Sequence, residues 1–583
     1  MPQRELCPHC RFNDMLPMWK KRDGKSCPLA RKQTILPELL CNRISHGRRK
    51  RNSYRKMKKI IIYSLIIVLL FLSSCSNHQK HTGEKIIQFP AEDWGFPSPF
   101  AFYPAGPGYI KMSLIFDTLV WKDEKGIIPW LAESWHMSDD GKTWRFILRN
   151  GIKFHDGHLL TAKDVVFTFN YIQKHPFPWS VLSVIDSISA VSSTEVKFHL
   201  KYPYAAFLDA IIGIVPIVPE HIWSTVRDPK KYRTKEALVG TGPFILQEYR
   251  SEHGIYRYKA NPDFFLGKPK IDGIAYIPCG DPVLGLAKGE INAHTLWRQQ
   301  VDAVDRFRTD PRYNILEGPS NWLLKLIFNT KRPPLNDYRI RQAFAYAINR
   351  GELCKRVKHN HAIAGNPGML INHSSWYNPD VEQYDFSLKK SRQLLNDAGY
   401  QTSEPGGIRE SAEDKRLSFE LLFGSENSRE AEFIKDSMAQ VGIEITFKIM
   451  DGRTIFTLME EEYDDFDLAI NGHGGIAGDP DLFRKWFENP VGNNGFWQNK
   501  TFNELIEKQA RTLNPRERKR LVFQMQRILA HDLPVLVLWH PRLYFVYRPD
   551  VFNEWFYTKG GIAFGIPLTS NKLAFINRNE LKN

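Results

Sequence analysis

Cysteine is scarce where a stapled fold would need it. Of seven cysteines in 583 residues, Cys7, Cys10, Cys27, Cys41 and Cys75 crowd the beginning, and only Cys279 and Cys354 lie beyond. Two thiols exclude a disulfide scaffold, and their spacing leaves pairing open. Charge of one sign is also missing from most of the chain. The formal +16 gathers in residues 1–74, with 17 Lys/Arg against 4 Asp/Glu, while the rest carries 63 against 60. A nearly neutral body excludes the nucleic-acid partner that the total invites. Beyond residue 75 there is no G-x-S-x-G, H-E-x-x-H, phosphate loop or paired C-x-x-C. No enzyme, resident metal or cofactor is therefore expected. Length alone demands two or more domains.

The apolar run Ile60–Leu72 is too short to span a bilayer comfortably and suits a signal-peptide core. Met57, Lys58 and Lys59 precede it, and Leu72-Ser73-Ser74-Cys75 follows. That tetrapeptide resembles a bacterial lipobox, which implies cleavage before Cys75 and acylation of its thiol; a plain transmembrane anchor is the alternative. Several acyl chains together hold a membrane stably. Residues 57–74 are thus expected to be a lipoprotein signal and 75–83 a flexible tether. Residues 1–56 are read as a disordered, mis-started extension; Cys7-Pro8-His9-Cys10 has a zinc-like spacing without a second pair.

The richest stretch runs from Ala132 to Ile172. The turn signal Asp140-Gly141 separates two short strands, and Trp144, Phe146 and Leu148 alternate with neighbours of another face. Asn150-Gly151 and Asp156-Gly157 mark further turns, and Thr161 with Asp164 forms an acidic capping box for a helix. Ala132-Glu133-Ser134-Trp135, Asp140-Gly141-Lys142-Thr143-Trp144 and Leu148-Arg149-Asn150-Gly151-Ile152-Lys153-Phe154-His155-Asp156-Gly157 together closely resemble the signature of family 5 extracellular solute-binding proteins. These are the peptide- and nickel-type receptors of bacterial ABC importers.

Further stretches are similar to that family: Gly240-Thr241-Gly242-Pro243-Phe244, then Phe328-Asn329-Thr330 and the run from Arg341 to Asn349. The resemblance implies an α/β, bilobed periplasmic-binding-protein-like fold of the large, cluster C type, with an extra subdomain in the first lobe. The first lobe is expected to be discontinuous, 84–322 plus 542–583, with 323–541 inserted as the second. Helices are expected over Tyr202–Ile212, Asp337–Arg350, Ser387–Ala398 and Asn514–Leu529. Strands are expected over Leu326–Thr330, Leu417–Phe423, Gly442–Ile449, Asp467–Asn471 and Pro534–Trp539.

The function so implied is capture of a small peptide between closing lobes and delivery to a permease and its ATPase, by a monomer tethered outside the membrane. A nickel or metal chelate is the alternative ligand, and a sensor lipoprotein the alternative role. Trp94 and Phe96 either line the cleft or pack beneath a loop. Trp322 and Trp497 either stack on ligand or serve the core. Arg298, Arg339, Arg341 and Arg453 are candidate anion partners. In the loop Gly472–Asp481, His473 takes the place of a tryptophan and Ile476 that of the acid which pairs with a peptide ammonium in peptide-binding members. Asp479 or Asp481 would have to substitute for that acid, unless Asp479 caps the next helix. His473 is also the residue that would touch a chelate.

Overall fold

The computed structural model describes residues 83–581 apart from 103–105, 178–181, 297, 321, 452–453, 456–463, 475–477, 488–494, 559–560 and 563–569. Cys75, the apolar run before it and the N-terminal extension lie outside the described residues.

The signature stretch builds an antiparallel sheet. Ala132–Met137 pairs with Thr143–Leu148, which pairs with Glu195–Leu200, and Ile185–Ala190 closes the edge. Gly141 takes φ 68° at the hairpin, a conformation that costs a residue with a Cβ more than it costs glycine. On the inner face Trp144, Phe146 and Phe198 meet Phe169 of the helix Ala162–Lys174. That helix starts as the capping box requires, with Thr161 N–H donating to Asp164 Oδ2 at 2.9 Å.

A second four-stranded sheet runs in the order Ile86–Pro90, Gly273–Ile277, Ile255–Ala260, Phe244–Arg250, its first pair parallel. A buried polar cluster centres on Asp117. Asp117 accepts from Trp130 Nε1 at 2.7 Å and from Thr241 Oγ1 at 2.8 Å. It also pairs with Lys572, and both side chains of that ion pair are 0% exposed. The ammonium is further held by the carbonyls of Ser113 and Phe116. One hydrophobic core joins residues of 87–293 to Phe545, Tyr547, Phe552, Trp555, Ile562 and the segment 573–576.

The eight-stranded sheet carries both crossings between the lobes. Its axis is the thirteen-residue strand Val535–Tyr547. The first part of that strand pairs with Trp322–Phe328 and Ala362–Ala364, and the second with Ala293–Leu296 and Asn314–Pro319. The sequence pattern ends this strand at Trp539; the structure carries it eight residues further, into the other lobe. Two cores fill the second lobe on either face of its sheet, and both draw on residues between Leu323 and Trp539.

Three expected elements differ in detail. Only Leu208–Ile212 of the expected helix 202–212 is helical, and it is wound as a π-turn. The expected helix 337–350 is two: Tyr338–Ala347 capped by Asp337, and Arg350–Lys358 capped by Asn349. Each cap side chain captures amides that the helix itself leaves unpaired. The strand expected from Leu326 begins at Trp322. Cys279 and Cys354 are both free thiols.

Candidate functional site

The lobes are joined where two strands pass side by side. Ser320 N–H donates to Pro541 O at 3.0 Å, and the His540 ring meets Trp322 O at 3.3 Å through Nδ1. His540 is fully buried, which pushes its pKa down to about 4, so the ring stays neutral. Two antiparallel crossings bonded to each other make a narrow ribbon, the geometry of a hinge whose bending is set by few residues.

Trp322 stands directly after this ribbon. Its half-buried indole tilts against Trp539, centroids 5.8 Å apart, and lies against the backbone of Gly472 on the neighbouring strand Leu468–Gly474. A Cβ at position 472 would come within 2.0 Å of the indole Cη2, so only glycine leaves room for it. His473 follows on that strand, its backbone paired with Leu323.

The lobes also touch at a second place. Tyr204 of the first lobe donates its hydroxyl to Asp481 Oδ2 at 2.7 Å, and Ala205 N–H donates to Ala510 O at 2.8 Å. Arg511 lies over the Tyr202 ring, 4.5 Å from its centroid, and Leu513 packs at Gly141. Behind Asp481 is a chain of polar groups. Gln509 Nε2 donates to Asp481 Oδ1 at 2.9 Å, Arg518 donates through Nε to Gln509 Oε1 at 3.0 Å, and Arg518 holds Asp479 with both terminal nitrogens, Nη1 to Oδ2 at 2.7 Å. Burial raises the carboxyl pKa of Asp479 despite the guanidinium beside it, and burial likewise lifts the Tyr204 hydroxyl far above its ordinary value. Tyr204 therefore remains a donor at every working pH.

The expected site residues fall into two groups. Trp322, Gly472 and the His473 backbone come together beside the hinge. Trp94 is half-buried, its N–H donating to Tyr256 Oη at 2.9 Å. Phe96 packs in the first core, edge-on to Tyr249 at 5.7 Å. Trp497 packs in the second lobe, its Nε1 donating to Asp532 at 3.1 Å. Asp479 is taken up by Arg518, and its Oδ1 also accepts from Asp481 N–H at 2.8 Å. Arg339 is engaged by Asp337, and Arg341 by the carbonyls of Leu335, Asp532 and Leu533. Arg453, Ile476 and the side chains of Arg298 and His473 lie outside the described residues.

Tyr204, Arg518 and His540 carry the geometry but were not among the expected residues. Two of them left a trace. Arg518 sits on the stripe with Leu521, Val522 and Met525 in the helix Pro515–Asp532, an unpaired-looking charge on an apolar face. His540 interrupts an apolar run.

Two α/β lobes on a paired-strand hinge define the class of bilobed binding proteins. The comparisons say which. The profile of bacterial extracellular solute-binding proteins, family 5 (middle region), matches residues 126–495, more than half of the chain. The chain belongs to that family. It is 28% identical over 457 residues to a dipeptide-binding protein of Escherichia coli K12, covering 73% of this chain and 83% of that one. The solved oligopeptide-binding protein AppA of Bacillus subtilis, in complex with a nonapeptide, superposes with TM-score 0.66 at 22% identity, over 79% of this chain and 94% of that one. NikA of Brucella suis, in complex with Fe(III)-EDTA, gives TM-score 0.73 at 22% identity, over 83% and 99%. Among the described residues no helix is long and apolar enough to cross a membrane.

Proposed function

We propose that the protein is the substrate-binding component of an ABC importer, and that it captures peptides between its lobes and hands them to a membrane permease and ATPase. The observation that carries this is the pair of lobes meeting both at the crossings and at Tyr204–Asp481, in a chain whose family consists of solute-binding proteins. Peptide is preferred because relatives such as the dipeptide-binding protein are named for it. The lobes are taken as 84–322 with 542–583, and 323–541, in keeping with the separate cores. Trp94, Trp322, Arg453 and His473 are assigned to the ligand, while Phe96, Asp479 and Trp497 support the walls. A monomer, anchored by lipid on Cys75, completes the reading.

Closure acts as a population shift. If the empty protein were closed about one per cent of the time, ligand contacts would forfeit ~2.7 kcal/mol of intrinsic affinity. A micromolar site, at about −8 kcal/mol, absorbs that. The ligand favours closure because it touches both lobes, and the hinge needs no chemistry of its own.

Native mass spectrometry of the purified protein tests the ligand class. A ladder of retained peptide masses is expected, released on mild denaturation. Retained nickel or a metal chelate would replace peptide as the cargo. Absence of both a retained ligand and any thermal shift with a peptide library would overturn the reading.

A further inference from the structure

The turn Asp156-Gly157-His158 and the short helix Glu220–Trp223 bring three metal-ligating side chains together on the first lobe. Gly157 takes φ 90°, so the chain reverses and carries His158 back over Asp156. The His158 amide donates to Asp156 Oδ1 at 3.2 Å, which orients the carboxylate. From the other side, His221 brings Nε2 to 2.7 Å from Asp156 Oδ2. His158 Nδ1 stands 3.3 Å from Oδ1, and the two imidazoles stack with centroids 4.0 Å apart. The three candidate ligand atoms all lie within 4.8 Å of one another.

A hydrogen bond to Asp156 accounts for His221, and the turn accounts for Asp156. Neither accounts for His158, whose side chain is 63% exposed yet rests on a second imidazole and addresses the same carboxylate. Among the described residues the ion pairs of Asp156 are with these two rings and with no lysine or arginine.

We propose that Asp156, His158 and His221 form a binding site for a divalent cation of the Zn2+ or Ni2+ class, separate from the interlobe cleft. Two imidazole nitrogens and one carboxylate oxygen suit borderline late-row ions and not Mg2+ or Ca2+, which take oxygen ligands. Tetrahedral bonds of about 2.0–2.1 Å place ligand atoms about 3.3–3.4 Å apart. His158 Nδ1 stands at that separation from Oδ1, while His221 Nε2 faces Oδ2 at 2.7 Å, so the carboxylate or one imidazole turns when a single oxygen binds the ion. Each neutral imidazole gives its lone pair and keeps its proton on the other ring nitrogen. Solvent supplies the remaining coordination position, because all three side chains reach the surface. The ligands belong to one lobe, so occupancy requires neither cargo nor closure.

Equilibrium dialysis of the untagged full-length chain against Zn2+, and separately Ni2+, tests this at near-neutral pH. The wild type is compared with His158→Ala and His221→Gln. Cys7 and Cys10 can take up metal in every variant alike, so the readout is the difference. Each variant is expected to hold one ion per chain fewer than the wild type. The exposed His158 provides the folding control: without metal, His158→Ala should keep the wild-type Tm, and with metal it should show a smaller rise. Equal uptake by all three proteins, or equal metal-induced Tm shifts, would overturn the proposal.

Discussion

Replacing Tyr204 with phenylalanine deletes one oxygen from the contact between the lobes and leaves the ring in place. With the lobes in contact at this point, that oxygen donates to Asp481 at 2.7 Å. A hydrogen bond to a charged group is worth about 1.5–3 kcal/mol. Asp481 keeps Gln509 at 2.9 Å and Arg484 at 3.6 Å, so the loss is expected near the lower end, ~1.5 kcal/mol. Any rotation that parts the lobes hands the tyrosine hydroxyl to water, so the open form loses nothing by the substitution. The whole cost falls on the closed form, and ~1.4 kcal/mol is a factor of ten. The dissociation constant of a bound peptide should therefore rise about tenfold, mostly through faster release. Titration calorimetry and stopped-flow release of a peptide identified by retention would measure both, and small-angle scattering of the empty protein would show the shift toward open. Combining Tyr204→Phe with Asp481→Asn closes a double-mutant cycle. A coupling below about 0.3 kcal/mol, the level at which independent sites add, with affinity unchanged, would refute a lobe-to-lobe latch at this position.

Three further outcomes follow from the geometry. Gly472→Ala forces a methyl group into the Trp322 indole; displacing the ring should cost about 1–3 kcal/mol of stability and weaken ligand binding, read by thermal melts and calorimetry. Lys572→Met strands Asp117 in the first core; a loss of about 3–5 kcal/mol is expected in denaturant unfolding, and a change under about 1 kcal/mol would deny that ion pair its role. Lys325 is fully buried, and burial pushes its pKa down to about 7. Between that value and the ordinary one of 10.5 the unfolded chain holds the proton and the folded chain does not, so this residue makes stability climb as pH rises through that window. Lys325→Met should melt higher at neutral pH and lose that climb relative to wild type; parallel pH profiles for the two proteins would sink the assignment.

Where local chemistry decided, the sequence was readable. The hairpin at Asp140-Gly141 and the capped helix after Thr161 formed where their residue types ask for them. The eight-stranded sheet was less so. Its pairing joins Asn314–Pro319 to a strand more than two hundred residues away, and no pattern within a segment reports its distant partner. The segment from Tyr202 looked helical because its apolar spacing permits a helix. In the folded chain Ala205 gives its amide to Ala510, so a tertiary contact outweighs propensity. The site divides along the same line. Trp322 stood out as an aromatic able to stack on a ligand, whereas Asp479 could be matched to its partner only once Arg518, thirty-nine residues later, had been placed.

The strand Val535–Tyr547 and the buried Lys572 make both lobes depend on residues far along the sequence. Without residues 535–572 neither lobe is complete: one lacks a middle strand of its sheet and the other a buried cation. A chain of the first five hundred residues is therefore unfinished business on both sides.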